Sequence, residues 1–187
     1  MKEEILKLLP VETGRCFIRQ PTLGDVDGIH HAMMQREEDL RRWMSWSSDE
    51  GMSREGVQAF ISCGLEVMNT TGIPLIAIDK MTNKFVLASG IHGQDDEFLV
   101  TPTGWWIAKD FEGQGYAFEV MKAIIDLSFR MIGTKTITTE YYADNLRSKS
   151  LMERLGFKYV RTHEKFHQCH LDGNMMDVHE YILEKEK

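Results

Sequence analysis

The chain has 187 residues, of which 42% are hydrophobic and 27% charged, so we expect one soluble globular domain over residues 1–187. No apolar run approaches the roughly 20 residues of a membrane helix, and the charged start of the chain argues against a signal peptide. The net charge of −7 disfavours nucleic acid as a partner, because such a partner needs clustered Lys and Arg. Three widely spaced cysteines predict no disulfide framework and indicate a cytoplasmic setting.

The first half of the chain predicts a strand, two helices and then further strands. Residues 15–19 are predicted as a strand, and Thr22–Asp25 resembles a capping box that starts a helix ending near Met34. A second helix is predicted from Ser53, because apolar residues follow at helical spacing: Val57, Phe60, Ile61, Leu65 and Met68. Three strand-like runs come next: Leu75–Ile78, Phe85–Ile91 and Gly104–Ala108.

The second half predicts a long helix, a strand, a short helix and a hairpin. The long helix follows from apolar residues with a period near 3.6: Ala117, Val120, Met121, Ile124, Ile125 and Phe129. Thr136–Tyr142 is predicted as a strand, and residues 145–155 as a helix that Gly156 ends. The hairpin joins residues 165–171 to 175–183. This order of elements predicts an α+β or mixed-sheet domain.

A glycine-punctuated loop between a strand and the long helix is the strongest functional signal. Its two glycines can adopt positive φ and allow a ligand to approach the backbone. The first amides of the helix have no partner within it and lie at the positive end of its dipole. The loop therefore predicts a pyrophosphate site formed by Glu112, Gly113, Gln114, Gly115, Tyr116 and Ala117.

Other kinds of phosphate loop fit this segment less well. A Walker loop needs Gly-Lys-Ser/Thr, which does not occur in the sequence. A Rossmann fingerprint needs a third glycine where Phe118 stands, although Glu140 lies roughly where a ribose-binding acid would. A turn that binds no ligand also stays open on the evidence of the loop alone.

Two segments together resemble the GNAT N-acetyltransferase superfamily. Residues 104–117 are similar to its signature Q/R-x-x-G-x-G/A and the strand before it, with Glu112 in place of Gln or Arg. We expect the backbone of Glu112, or a solvent-facing side chain, to lie at the loop, because an inward carboxylate would repel phosphate. Residues 145–157 are similar to the superfamily segment N-x-x-S-x-x-x-L/M-E-x-L-G-F. Residues 15–25 and 40–46 resemble the subgroup of ribosomal-protein-alanine N-acetyltransferases.

The resemblance implies the GNAT fold, a mixed, mostly antiparallel and twisted sheet flanked by helices, which we expect to splay after residue 108. It also implies acetyl-CoA as cosubstrate, whose thioester carbonyl is attacked directly by an amine. The residues that would contact the pantetheine arm or the sulfur are Trp106, Ile107, Ala108, Asn145 and Ser148. Ser148 is the candidate for stabilising the CoA thiolate, whereas Asn145 could instead cap its helix.

The resemblance does not identify the general base. Subgroup members often carry a glutamate at the position of Pro102. Glu140 and His92 are the candidates that remain, although a lone strand histidine is often structural. An α-amine with a pKa of about 7.7–8.0 is roughly 10–15% neutral at pH 7, far more than a lysine. The missing glutamate therefore favours a protein N-terminus as the acceptor.

The acceptor is the least determined part of the prediction. Candidate acceptor-binding residues are Trp43, Trp46 and His92, although the tryptophans could simply fill a core. The histidines near the end of the chain lack the spacing of a tetrahedral zinc set, so no metal is expected. Acetylation of a protein N-terminus is the leading hypothesis. A small amine such as a polyamine or drug, and a non-catalytic CoA-binding module, are alternatives, and a homodimer is compatible with each.

Overall fold

Two β-sheets form the framework of the molecule, which the computed structural model describes over residues 5–64, 72–93 and 99–185. The strands of the first sheet, in spatial order and all antiparallel, are β1 (Val11–Glu12), β2 (Cys16–Arg19), β3 (Gly72–Asp79), β4 (Phe85–His92) and β6 (Trp105–Ile107). Those of the second are β5 (Val100–Pro102), β7 (Thr136–Tyr142), β9 (Met175–Glu184) and β8 (Lys158–Gln168). In this second sheet β5 runs parallel to β7, and the other pairs are antiparallel.

Helices flank these sheets. Their bounds are α1 (Val26–Met34), α2 (Glu37–Trp43), α3 (Asp49–Met52), α4 (Arg54–Ala59), α5 (Tyr116–Leu127) and α6 (Leu146–Arg154). Short 3₁₀ helices lie at Leu23–Asp25 and Lys109–Phe111, and π-helical turns lie at Phe60–Gly64 and Ser128–Ile132. None of the helices within the described ranges is both long and apolar enough to cross a membrane.

The predicted helix starts are confirmed by their capping contacts. The Asp25 carboxylate accepts a hydrogen bond of 2.7 Å from the Thr22 amide, which is one half of a capping box. The Ser53 hydroxyl accepts a bond of 2.9 Å from the Gly56 amide at the start of α4. The helical residues predicted beyond this point, Leu65 and Met68, lie outside the described residues.

The main core surrounds the first sheet. Every residue of β3 is buried, so both faces of the sheet centre are covered. The long helix α5 buries the apolar face that its periodicity predicted, including Val120, Met121, Ile124 and Ile125. A smaller core beside the second sheet contains Ile137, Met152, Phe157 and Tyr181.

The two sheets separate within the segment from β5 to β6. Thr103 joins both sheets, because its amide donates to the Thr138 carbonyl and its hydroxyl donates to the Gly90 carbonyl, each at 2.8 Å. After Gly104 the chain pairs with β4, whereas β7 continues in the second sheet. The separation therefore lies four residues earlier than the expected position after residue 108. It opens a cleft between β6 and the second half of β7.

Short elements and the hairpin differ from the sequence-based expectation. The elements β1, β5, α2 and α3 were not predicted. Each has only two to seven residues, which is too short a segment to show a hydrophobic period. The first hairpin strand begins at Lys158 and ends at Gln168 rather than spanning 165–171. Most of β8 is exposed, and Lys165 has a φ of +47° at a break in register, so apolar and polar residues do not alternate regularly.

Candidate active site

Two cavities meet in the cleft between the sheets. The first, here called the loop cavity, has about 530 Å³ and lies between the Glu112–Ala117 loop and α6. The second, here called the aromatic cavity, has about 700 Å³ and lies over β3 and β4. Both are lined by Trp43, Met44, Trp105, Trp106, Asn145 and Ser148. The two cavities therefore adjoin at these six residues, here called the shared wall, and ligands in the two cavities can come into contact there.

The loop that lines the loop cavity has the conformation that its glycines predicted. Gly113 and Gly115 have φ values of +73° and +80°, which residues with a Cβ rarely adopt. A Cβ added to Gly113 would meet nothing within 4 Å, so this backbone is open to a ligand. Of the predicted phosphate-site residues, Glu112, Gly113, Gly115 and Ala117 line the cavity. Gln114 and Tyr116 do not line it, because their side chains hold the loop in place instead.

An arginine in the bend between β1 and β2 holds the back of the loop. Arg15 pairs with Glu119 at 2.6 Å and donates to the Gln114 carbonyl at 2.9 Å. Its guanidinium also lies 3.8 Å from the centroid of the Tyr116 ring. The Tyr116 hydroxyl donates to Asp79 at 2.9 Å, and hydrogen bonds from Thr82 and from Tyr116 lower the pKa of this buried carboxyl. This network connects the loop rigidly to β2 and β3.

We expected either the backbone of Glu112 or a solvent-facing side chain at the loop, and the side chain instead pairs with two arginines. Its carboxylate lies in the loop cavity, 3.0 Å from Arg36 and paired also with Arg147, and its side chain is 30% exposed. The two guanidinium groups explain why an acid is tolerated beside a predicted phosphate site. Arg36 is held in turn by Asp39 at 2.7 Å and donates to the Ile107 carbonyl at 3.0 Å. Arg154, over the ring of Phe118, adds a further positive charge to this cavity.

Alternate residues of β6 direct their backbone amide and carbonyl groups into the cleft. The Ala108 amide donates to the Val86 carbonyl at 2.8 Å, and Trp106 lies opposite Ala88 in the same ladder. In an antiparallel pair the intervening residue directs its amide and carbonyl away from the partner strand. The amide and carbonyl of Ile107 therefore face the cleft, whereas those of Trp106 and Ala108 face β4. Of the three predicted pantetheine contacts, only Ile107 has its backbone in a position to bind an extended arm, although the Trp106 side chain lines both cavities.

The helix α6 begins at the shared wall. The Asn145 side chain accepts a hydrogen bond of 3.1 Å from the Ser148 amide, so Asn145 does cap the helix. Asn145 and Ser148 also line both cavities. Capping thus brings these two side chains to the point where ligands of the two cavities would meet.

The aromatic cavity combines every predicted acceptor residue with the predicted base candidates. Trp43, Trp46, His92 and Glu140 all line it. The Trp46 ring lies 6.4 Å from the Trp106 ring, and 42% of Trp46 is exposed. The tryptophans therefore form cavity walls rather than the centre of a core.

Several functional residues had no local signal in the sequence. Arg15 and Arg36 reach the loop from elements far along the chain, so no short motif contains them together with their partners. Arg147 and Arg154 are seven residues apart and share one face of α6, a spacing that could have been recognised. The described ranges contain no group of three or more His, Cys, Asp or Glu side chains that could hold a metal.

Comparisons with known proteins identify the family. Residues 15–158 match the family model described as an acetyltransferase (GNAT) domain. The chain therefore belongs to the GNAT acetyltransferase family, and it is an acetyl-CoA-dependent N-acetyltransferase, as the resemblance implied.

Solved structures with the same fold include acetyltransferases of ribosomal proteins. The ribosomal-protein-S5-alanine acetyltransferase of Vibrio fischeri is 17% identical, with a TM-score of 0.82 over 95% of this chain and 97% of that one. The ribosomal L7/L12 α-N-protein acetyltransferase RimL, in complex with CoA, is 15% identical, with a TM-score of 0.83 over 94% and 97%. The microcin C7 self-immunity acetyltransferase MccE, in complex with acetyl-CoA and AMP, is 17% identical, with a TM-score of 0.79 over 92% and 93%. These similarities confirm the predicted fold.

Proposed function

We propose that this enzyme transfers the acetyl group of acetyl-CoA to the α-amine of a protein N-terminus. The observation that carries the proposal is the wall shared by the two cavities, at Trp105, Trp106, Asn145 and Ser148. Acetyl-CoA occupies the loop cavity, the acceptor enters the aromatic cavity, and the thioester lies at this wall. Direct transfer needs such an arrangement, because the two reacting atoms must approach to about 3–3.5 Å.

The chemistry of the loop cavity supports acetyl-CoA as its ligand. The Gly113–Ala117 amides at the start of α5 suit a pyrophosphate, since they provide donors and a positive dipole end. Arg147 and Arg154 supply charge-assisted donors on the opposite side of the cavity. At the edge of β6 the Ile107 carbonyl accepts from Arg36, which leaves the Ile107 amide as the donor to a ligand.

The chemistry of the aromatic cavity supports a peptide rather than a polyamine. Among its described lining residues Glu140 is the single carboxylate, whereas a polyamine with several ammonium groups would need several acids. Tryptophan and tyrosine walls instead suit one amine next to apolar groups, as at the start of a peptide. We therefore assign the first residues of an acceptor protein to this cavity.

The transfer itself uses groups at the shared wall. The acceptor nitrogen attacks the thioester carbonyl carbon, and the carbon–sulfur bond breaks as CoA leaves. We assign the Ile107 amide to polarise the carbonyl oxygen and the Ser148 hydroxyl to donate to the departing sulfur. Glu140 attracts the acceptor ammonium to the cavity.

A cytoplasmic setting is part of this proposal. Cys16 and Cys169 are buried free thiols, which agrees with a reducing compartment.

The test is a thiol-release assay with acetyl-CoA across matched acceptors. A peptide with a free N-terminus should release CoA thiol, and the same peptide with a blocked N-terminus should not, even when it contains lysine. Mass spectrometry of the product should locate the acetyl group on the α-amine. Equal or better kcat/KM with spermidine would favour the small-amine alternative. Acetyl-CoA binding without thiol release for any amine would indicate a non-catalytic CoA-binding module.

A further inference from the structure

We propose that His92 is the general base that takes the proton from the acceptor ammonium, and that Gly72 and Gly90 make the space in which its ring lies. This inference rests on the proposed transfer to an α-amine, and it chooses between the two base candidates in the sequence, His92 and Glu140.

The register of β3 and β4 directs His92 into the aromatic cavity. Gly72 lies opposite His92, Pro74 opposite Gly90, and Ile76 opposite Ala88. Side chains alternate between the two faces of a sheet, so these even-numbered positions share one face. Four of the six β3 and β4 residues that line the cavity lie on this face, namely Pro74, Ile76, Ala88 and His92, whereas Leu75 and Ser89 lie on the other face. The even-numbered face therefore forms most of the cavity floor.

The two glycines on this floor leave room for the imidazole ring. A Cβ on Gly72 would lie 2.7 Å from His92 Nδ1, and a Cβ on Gly90 would lie 2.8 Å from Nε2. Neither glycine has the positive φ that would by itself favour glycine. Glycine inside a strand is less favourable than alanine, and it often marks a close approach. Here the group that approaches both glycines is the ring of His92.

The surroundings of His92 keep the ring neutral and able to accept a proton. Burial lowers the pKa of His92 below its usual value of 6.5, because a buried imidazolium loses hydration. The other titratable side chains that line this cavity are Glu140, Tyr141 and Tyr142 on β7 and His167 on β8. No hydrogen bond or ion pair joins the His92 ring to any of them within the described ranges. Among the described residues, its ring nitrogens therefore have no partner that an acceptor amine or one intervening water molecule would have to displace.

Glu140 is suited to a different task in the same cavity. It is exposed on β7 and lies opposite Glu180 of β9, whose carboxylate binds Arg161 and His163. An exposed carboxylate attracts an ammonium group by charge, but carboxylates are ordinarily weaker bases than a neutral imidazole. Glu140 therefore concentrates the cationic acceptor, and His92 accepts its proton.

The proton transfer precedes attack. One N–H bond of the ammonium breaks, and its proton moves to a ring nitrogen of His92, directly or through water. The neutral amine then forms a bond to the acetyl carbonyl carbon, and the carbon–sulfur bond breaks. The proton released from the new amide nitrogen converts the CoA thiolate to the thiol, and imidazolium returns its proton to solvent.

The test compares pH profiles of the wild type, His92→Gln and Glu140→Gln with the primary amine that the wild type acetylates best. At pH 7 we expect His92→Gln to lower kcat by about 100-fold, the lower end of what a general base contributes. The deficit should shrink to less than about tenfold at pH 9.5, where an α-amine with a pKa of about 7.7–8.0 is already neutral. Glu140→Gln should raise KM and leave the shape of the kcat profile unchanged.

Two results would overturn the assignment. A His92→Gln deficit that is the same at every pH would indicate a structural role. Loss of the pH dependence in Glu140→Gln, but not in His92→Gln, would make Glu140 the base. If no amine is acetylated, this inference fails together with the proposed function. If only small amines are acetylated, the acceptor proposal fails, and the same comparison, carried above the pKa of the amine used, still decides the role of His92.

The glycines provide a second, independent variant. Gly90→Ala should displace the ring, lower kcat at pH 7 and reproduce the convergence with the wild type at high pH, while acetyl-CoA affinity stays unchanged. Gly28→Ala, whose Cβ would meet nothing closer than 4.0 Å, controls for an added methyl group. Unchanged kcat in Gly90→Ala would show that the ring position does not matter to proton transfer.

Discussion

The loop cavity and the aromatic cavity differ in how the chain builds them. The loop cavity is formed mainly by residues 111–118 and by α6, with residues 36–44 and β6 beside them, and we assign its binding to backbone amides and arginines. The aromatic cavity draws side chains from α1, α2, β3, β4, β7 and β8, and its surface is mainly apolar. Backbone amides recognise any phosphate, whereas such side-chain walls can change without altering the fold. On the proposed assignment, the acceptor cavity can therefore change its side chains while the cosubstrate cavity keeps its backbone donors.

The substitution with the largest expected effect, Gly115→Val, should disrupt only the loop cavity. Gly115→Val should lower acetyl-CoA affinity by at least about 100-fold in calorimetry, because a β-branched residue at a φ of +80° forces the loop to rearrange. Its Cβ would lie in van der Waals contact with the Arg15 guanidinium, 3.6 Å away. Gly133→Val is the matched control, since Gly133 has a φ of +87° at the end of the π-helical turn, outside both cavities. Equal affinity in the two variants would contradict the loop assignment.

A substitution in the shared wall should lower kcat without changing acetyl-CoA affinity. Ser148→Ala is expected to lower kcat by up to about 100-fold with little change in acetyl-CoA affinity, because we assign the hydroxyl to the departing sulfur. The helix should stay folded, since the cap uses the Ser148 amide and not its hydroxyl. Ser148→Thr retains a hydroxyl and should retain more activity than the alanine variant. Unchanged turnover in Ser148→Ala would reduce this residue to a part of the helix.

A smaller effect should be confined to the aromatic cavity. Trp46→Ala is expected to raise the KM of an acceptor peptide about tenfold, because a truncated aromatic side chain loses contact area. The acetyl-CoA dissociation constant should not change. Phe166→Ala removes an exposed aromatic ring outside both cavities and should leave both constants unaltered. A weaker acetyl-CoA complex in Trp46→Ala would show that the two cavities are not separate in function.

The smallest expected effect is a gain in acetyl-CoA affinity. Glu112→Gln removes the carboxylate that pairs with Arg36 and Arg147, so both guanidinium groups become available to phosphate. We expect acetyl-CoA to bind about two- to fivefold more tightly at low salt, the size of a partly exposed ion pair. The gain should diminish as salt is raised, since screening weakens these contacts. Weaker binding would mean that Glu112 positions the arginines for the cosubstrate.

Local patterns account for the parts of the fold that were predicted. The strand Thr136–Tyr142 was predicted with its observed bounds. The starts at Thr22, Ser53 and Asn145 each depend on a hydrogen bond between a backbone amide and a side chain three residues apart. The short helices α2 and α3 and the exposed strand β8 were missed or shortened, because tertiary contacts rather than periodicity define them.

The sequence by itself determined the loop, since the left-handed backbone at Gly113 and Gly115 requires glycine wherever the loop lies in the fold. It also determined the cap that brings Ser148 to the start of α6. Only the tertiary structure decided that Glu112 meets two arginines and that Arg15 reaches Gln114 across 99 residues. It also decided that His92 lies over Gly72 and Gly90. These contacts depend on strand register and helix packing, which residues distant in the chain determine together.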